Sequence, residues 1–221
     1  MKFILYMITL LISINVFHPN MNDGDQYIVD QFNEPLSTSW KGRYDDYESI
    51  YKINTEEGNQ ILSAHSTDSD NFIIKQIEVD IVEYPYLNWR WRTHILPVGG
   101  DESTKKKCDV SASISIVLNK SRLLPKSIKY SWSTTLEENN ITESPFAIWP
   151  SRCDIRVMES GEENKGKWVT EKINILEDYK RFYNKKNVNS KSVHAIVIMT
   201  DSDNTSTIAV ADYDDIYFSK N

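Results

Sequence analysis

Nowhere does the chain run apolar for the about 20 residues that a membrane-spanning helix needs. Its longest apolar stretch, Phe3–Val16, is interrupted by Thr9, Ser13 and Asn15. With Lys2 in front, that stretch reads as a secretory signal, although Phe17, His18, Pro19 and Asn20 supply no small-residue cleavage site. The expected division is residues 1–22 as a signal peptide or uncleaved N-terminal anchor and 23–221 as one domain. Membrane attachment would then run through the first segment alone. Basic charge is also lacking: 25 Lys and Arg stand against 32 Asp and Glu, and the only basic run is Lys105, Lys106 and Lys107. A nucleic-acid binder would carry a basic excess on one face, so that class is excluded. There is no His-Glu-x-x-His, no nucleophile elbow, no phosphate-cradling glycine loop and no zinc-binding cysteine set. The sequence therefore holds no reaction signature. Cysteine is limited to Cys108 and Cys153. In a chain sent to an oxidising compartment, an even pair reads as a disulfide more often than as two thiols. Spacing alone does not establish the geometry a bridge requires, so both states stay open.

What the sequence does have is a period of two, the mark of half-buried strands. In residues 109–118, Val110, Ala112, Ile114, Ile116 and Leu118 alternate with Asp109, Ser111, Ser113 and Ser115. In residues 127–134, Ile128, Tyr130 and Trp132 alternate with Lys129, Ser131 and Ser133. Further strands are expected near 25–32, 48–54, 60–66, 71–80, 86–96, 153–159, 168–175 and 206–218. Residues 193–200, apolar on both faces, read as a central strand. Only 176–184 looks helical. Polar turns at Glu57-Gly58-Asn59, Asp68–Asn71, Gly99-Gly100-Asp101, Gly161–Gly166 and Asp203-Asn204 separate these runs. The expected fold is all-β: an antiparallel, jelly-roll-like β-sandwich with one short helix.

The stretch "NWRWRTH", residues 88–94, carries the most information about a site. On a strand, Leu87, Trp89, Trp91, Thr93 and Ile95 share one face and Arg90, Arg92 and His94 the other. Burying the apolar set is worth roughly 1.5–3 kcal/mol for each large side chain, whereas buried arginines would need partners. The tryptophans therefore belong to the core and the basic row faces outward. If strands 86–96, 109–118 and 127–134 pair in that order, Arg90, Arg92 and His94 stand beside Ser113, Lys129 and Ser131. Such a shelf would suit a polyhydroxylated acidic ligand, because arginine holds a carboxylate with two parallel hydrogen bonds. The competing reading is an ordinary solvated sheet face.

The chain ends add a second theme. "YIVDQFNEPLSTSW" places Phe32, Glu34 and Trp40 at the entry to the domain, and "IAVADYDDIYF" places Asp214 and Asp215 in a terminal strand. This pairing resembles secreted jelly-roll modules of the carbohydrate-binding and galactose-binding-like kind. That resemblance implies a structural Ca2+ with Glu34 and Asp215 at the matching ligand positions, beside the plainer reading of surface acids at strand ends. Two carboxylates are only a start for an ion that takes six to eight oxygens. The segment "TDSDNTS", 200–206, with Asp201, Asp203, Asn204 and Thr205, reads first as a turn.

The stretches "YLNWRWRTHILPVGGDES", "IKYSWST", "ESGEENKGKW", "EDYKRFY" and "IMTDSDNTSTIAVADYDDIYF" together resemble a secreted bacterial family, domain of unknown function 3047, over roughly 26–218. The resemblance implies secretion and a β-sandwich-like domain, and no activity. Cys108 departs from the family pattern at that position. Catalytic candidates by residue type are His94, His65, Asp101, Glu102 and Asp201. Tyr130 is expected on the core face, which counts against a lyase built on Arg90, Arg92 and His94. His65 and His194 read as ordinary strand residues. The first expectation is thus a non-catalytic exported module that binds polysaccharide or another envelope component. A polysaccharide-processing enzyme comes second and a purely structural envelope protein third.

Overall fold

A computed structural model describes residues 24–119, 125–183 and 192–221; the expected signal segment, 1–22, lies outside the described residues. Two β-sheets face each other. The first sheet runs in the order β11 (Val169–Asn174), β6 (Tyr86–Ile95), β13 (Ile208–Ser219), β4 (Asn59–Thr67) and β3 (Tyr51–Glu56). Strand β1 (Gln26–Asp30) also pairs with β13. The second sheet runs β2 (Trp40–Gly42), β5 (Phe72–Asp80), β12 (Ser192–Asp201), β7 (Val110–Val117), β8 (Lys126–Ser133), β10 (Arg152–Ser160) and β9 (Ile141–Glu143). The α-helix α1 (Ile175–Tyr183) follows β11, and its first turn is capped where Asn174 Oδ1 accepts the Glu177 N–H at 3.1 Å. No helix among the described residues is long and apolar enough to cross a membrane.

The alternations read from the sequence decide which side chains meet in the interior. Trp89 and Trp91 from β6 are almost wholly buried and face Tyr130 and Trp132 from β8. Trp91 meets Trp132 with ring centroids 6.0 Å apart, Trp89 meets Tyr130 at 5.7 Å, and the two β6 indoles touch edge-on at 5.2 Å. Edge-to-face contacts at this range add to what area burial already contributes. Strand β12 lies between β5 and β7, as its two apolar faces require. The β3–β4 hairpin turns through Glu57 and Gly58, both with positive φ (51° and 85°), which matches the twist of the flanking strands.

Three details differ from the sequence expectation. Strand β6 does not neighbour β7 or β8, but sits between β11 and β13 in the opposite sheet. The reason lies in the aromatic faces, which pack against each other across the interior instead of lining one sheet together. Strands β8 and β10 pair in parallel, because the chain leaves β8, forms edge strand β9 and returns between the two, so the second sheet is mixed. Ile95, placed on the core face by alternation, is 43% exposed, since the register of β6 against β13 shifts between Ala211 and Val210.

The domain entry is held by Asp30. Its carboxylate accepts the Phe32 N–H at 2.7 Å, the Trp40 indole N–H at 2.8 Å and the Lys75 ammonium at 2.7 Å. Phe32 stacks on Trp40 behind these bonds.

Candidate functional site

Arg90, Arg92 and His94 do face outward from the first sheet, on the side away from Trp89 and Trp91. The register that places them is a transverse row, in which Lys52 pairs with Ser63, Ser63 with Asp212, and Asp212 with Arg92. Asp212 is its hub. It accepts the Ser63 hydroxyl at 2.7 Å and the Arg92 guanidinium at 3.1 and 2.6 Å. His94 Nε2 lies 2.7 Å from the same carboxylate. Burial alone would raise the pKa of Asp212, but hydrogen bonds from His94, Ser63 and Arg92 hold it below the ordinary carboxylate range. Arg92 also reaches Glu56 at 3.1 Å. Arg90 pairs with buried Asp214 at 2.5 Å and with Asp215 at 3.0 Å, the latter too poorly aligned to satisfy its Nε as a hydrogen bond. Both guanidinium groups lie over the Trp168 ring, at 4.7 and 4.6 Å from its centre. The basic row is therefore neutralised by the chain's own acids, and none of these carboxylates was matched to the arginines by sequence.

Beside this network lies an open cleft of about 780 Å³. Lys52 and Asn54 of β3, Ser63, His65 and Thr67 of β4, and His94 and Asp212 line its floor, with Asp46, Asp68 and Ser69 on its walls. Hydroxyls, an amide, carboxylates, an ammonium and two imidazoles thus converge on one concavity, offering donors and acceptors together. Of the catalytic candidates named by residue type, His94 and His65 line this cleft. Sequence reasoning missed Lys52, Asn54, Ser63 and Asp212, because strand periodicity marks the outward face without marking the register that assembles it.

Ser113, Lys129 and Ser131 lie elsewhere. They belong to the outer face of the second sheet, across the sandwich from the arginines, so no shared shelf exists. All three are buried, and the segment from Pro97 to Cys108 folds onto the same face. Ser133 donates to Glu102 at 2.6 Å, Thr134 to the Pro97 carbonyl at 3.1 Å and Thr135 to the Gly100 carbonyl at 2.8 Å. Glu102 is fully buried there, and burial raises its pKa even though Ser133 and Lys129 oppose the shift. Asp101 caps its own turn through Ser103 and Thr104. Tyr130 stays in the core, donating to Asp178 at 3.2 Å.

The cysteines border this covered face, and both are free thiols in the structure. Cys108 hangs from the covering segment, its thiol 3.5 Å from the Glu102 carbonyl. Burial pushes Cys108 up to about 12 and raises Cys153 as well, so little reactive thiolate forms near neutrality. A thiol reagent is expected to titrate two groups in denaturant and to react far more slowly with native protein. Zero groups in denaturant without reductant would instead indicate a bridge.

Glu34 is exposed, and Asp215 is engaged by Arg90. Neither belongs to the group of metal-ligating side chains found among the described residues, which is Asp109, Asp201 and Asp203. Those three offer carboxylate oxygens all within 4.8 Å of one another. At an effective dielectric of about 20, two ionised carboxylates at that spacing repel by about 3–4 kcal/mol. Burial, with Asp109 and Asp203 adding to it and Lys129 opposing, drives Asp201 well above the ordinary range.

The sequence profile of the family described as protein of unknown function, DUF3047, matches residues 39–217. The chain belongs to that family. No curated protein matches it. Among solved structures it is similar to the xyloglucanase domain of NopAA, a type three effector from Sinorhizobium fredii, in complex with cellobiose. That likeness has 8% identity, covers 82% of this chain and 94% of that one, and has a TM-score of 0.48. It is also similar to CBM27-1 of Caldicellulosiruptor saccharolyticus in complex with mannohexaose (11% identity, 89% and 98% covered, TM-score 0.45). A family 12 xyloglucanase from Bacillus licheniformis gives 8% identity, 88% and 96% coverage and a TM-score of 0.43. At such identities the likeness concerns sandwich architecture and assigns no residue a role.

Proposed function

We propose that this DUF3047 protein is an exported, non-catalytic module that binds a polyhydroxylated glycan in the cleft beside Asp212. The observation that carries the reading is the cleft itself: an open concavity of about 780 Å³ lined by donors and acceptors from β3 and β4. Sugar hydroxyls both donate and accept, and such a lining answers both roles. The cleft carries Asp46, Asp68 and Asp212 against Lys52 and two histidines, and its nearest arginines already have carboxylate partners. A neutral or amino-bearing glycan therefore fits better than a polyanion. Export rests on the apolar segment at 3–16 behind Lys2.

One observation favours a second reading. Asp212 orients His94, whose ring is partly open to the cleft, and a histidine held by a carboxylate is a serviceable general base. A glycosidase would need a pair of carboxylates flanking the sugar, and Asp212 is already committed to Ser63, Arg92 and His94. Electrophoresis of the full chain through gels containing neutral or acidic polysaccharides separates the readings. Retardation in a neutral gel with the polymer stain intact supports binding, and a cleared zone supports the enzyme. Unretarded migration in every gel would leave a structural envelope protein as the better account.

A further inference from the structure

The acid cluster lies at the end of the second sheet, away from the cleft floor. Asp109 immediately precedes β7, Asp201 ends β12, and Asp203 opens the turn into β13. That turn is built around Asp109, whose carboxylate accepts the N–H of Asn204 at 3.0 Å and the N–H and hydroxyl of Thr205 at 2.7 and 2.5 Å. Asp203 in turn accepts the Asn204 side-chain amide at 2.6 Å. These bonds account for the folding of the turn and still leave oxygens over. Asp201 Oδ1 and Asn204 Oδ1 are both buried without a hydrogen-bond partner, and Asp201 is only 4% exposed. A buried carboxylate oxygen lacking a donor is costly. Here it sits with two further carboxyl groups, and a cation among the three would supply the partner it lacks.

We propose that Asp109, Asp201 and Asp203, with the side-chain oxygen of Asn204, form a binding site for one hard divalent cation of the calcium class. The donors are all oxygen, the preference of such ions over softer metals. Backbone carbonyls and water would complete the coordination number.

The position gives the ion a structural consequence. Ser202 N–H donates to the Ser69 carbonyl at 3.1 Å and Asp68 N–H to the Thr207 carbonyl at 3.2 Å. Asp68 and Ser69 form a wall of the cleft, so an ion that orders the turn at 202–207 also braces that wall. The site does not depend on the cleft's being a glycan site.

The test uses the full chain stripped with a chelator, titrated with Ca2+ by calorimetry and with Tb3+ by sensitised luminescence. Tyr51 and Tyr213, whose hydroxyls bond Thr200 at 3.1 and 2.8 Å next to Asp201, serve as built-in sensitisers. The expected result is one site, Tb3+ emission displaced by Ca2+, and an affinity for Ca2+ at least about tenfold weaker in Asp203→Asn. Asp215→Asn should bind as the unaltered protein does. Absence of both heat and Ca2+-displaceable emission would overturn the proposal, as would equal Ca2+ affinity in Asp201→Asn, Asp203→Asn and the unaltered protein. Uptake of Zn2+ alone, abolished by Cys108→Ser, would overturn the calcium assignment. If Asp203→Asn does not fold, the titration of the unaltered protein decides.

Discussion

Asp212→Ala is expected to lower stability by about 2–4 kcal/mol, the range for removing one partner of a buried ion pair when the other keeps some company. Asp212 is 4% exposed and serves Ser63, Arg92 and His94 at once. Without it, Arg92 retains only the more exposed Glu56 and the face of Trp168. Urea unfolding measures the loss, with an unchanged denaturant slope confirming that the folded state is comparable. Asp212→Asn should cost less, because an amide oxygen can still accept the Ser63 hydroxyl. The pH dependence has a definite sign. The native carboxyl is more acidic than the unfolded one, so its contribution is fully present above the unfolded value, about 3.9. It is lost as pH falls through the lower native value. A loss below 0.5 kcal/mol for Asp212→Ala would mean that the row Lys52–Ser63–Asp212–Arg92 is not the organising contact of this face.

Glu171→Gln is expected to act in the other direction and raise stability at pH 8 by about 1–2 kcal/mol. Glu171 lies on β11 opposite Trp89, on the inward side of the first sheet. Burial, with Glu159 adding to it, pushes its carboxyl up to about 7, and one of its oxygens is buried without a partner. The full shift from 4.5 corresponds to about 3 kcal/mol at 1.36 kcal/mol per unit, and the partial exposure of the residue reduces it. Between pH 4.5 and 7 the native state holds more protons than the unfolded one, so stability falls as pH rises and levels off above 7. Glutamine removes that slope. Melting curves for both proteins at several pH values show it directly, and parallel pH profiles would contradict the assignment.

Both predictions rest on contacts of unequal legibility. The alternation in "NWRWRTH" exposed the faces of β6, because two tryptophans and two arginines cannot exchange sides cheaply. It could not show that β6 belongs to the opposite sheet from β7 and β8, since a period of two marks a face and says nothing of the neighbour. Most of the acids that neutralise the arginines come from β13, 120 residues away in the case of Arg92 and Asp212, a distance at which no local pattern operates. The outward serines of β7 and β8 were correctly placed outward, yet they are buried. Folded onto the same face is an irregular segment, Pro97–Cys108, whose path hydrophobic periodicity does not encode. The turn at Asp203-Asn204 was legible as a turn from its Asp and Asn content, whereas its acidic partner Asp109 arrives from 96 residues before Thr205.

The central claim, that the cleft beside Asp212 binds a neutral glycan, is tested most directly by variants on its exposed floor. Asn54 and His65 lie there and accept no part of the Asp212 network. Arg92→Ala, by contrast, would disturb Asp212 itself. In a gel containing the neutral polysaccharide that slows the unaltered full chain, the Asn54→Ala/His65→Ala double variant is expected to migrate as it does without polymer. Trp149→Ala, altering an 89% exposed side chain on the segment before β10, should still be slowed. Equal retardation of the unaltered protein and the double variant would contradict the claim, as would retardation by acidic polymers alone.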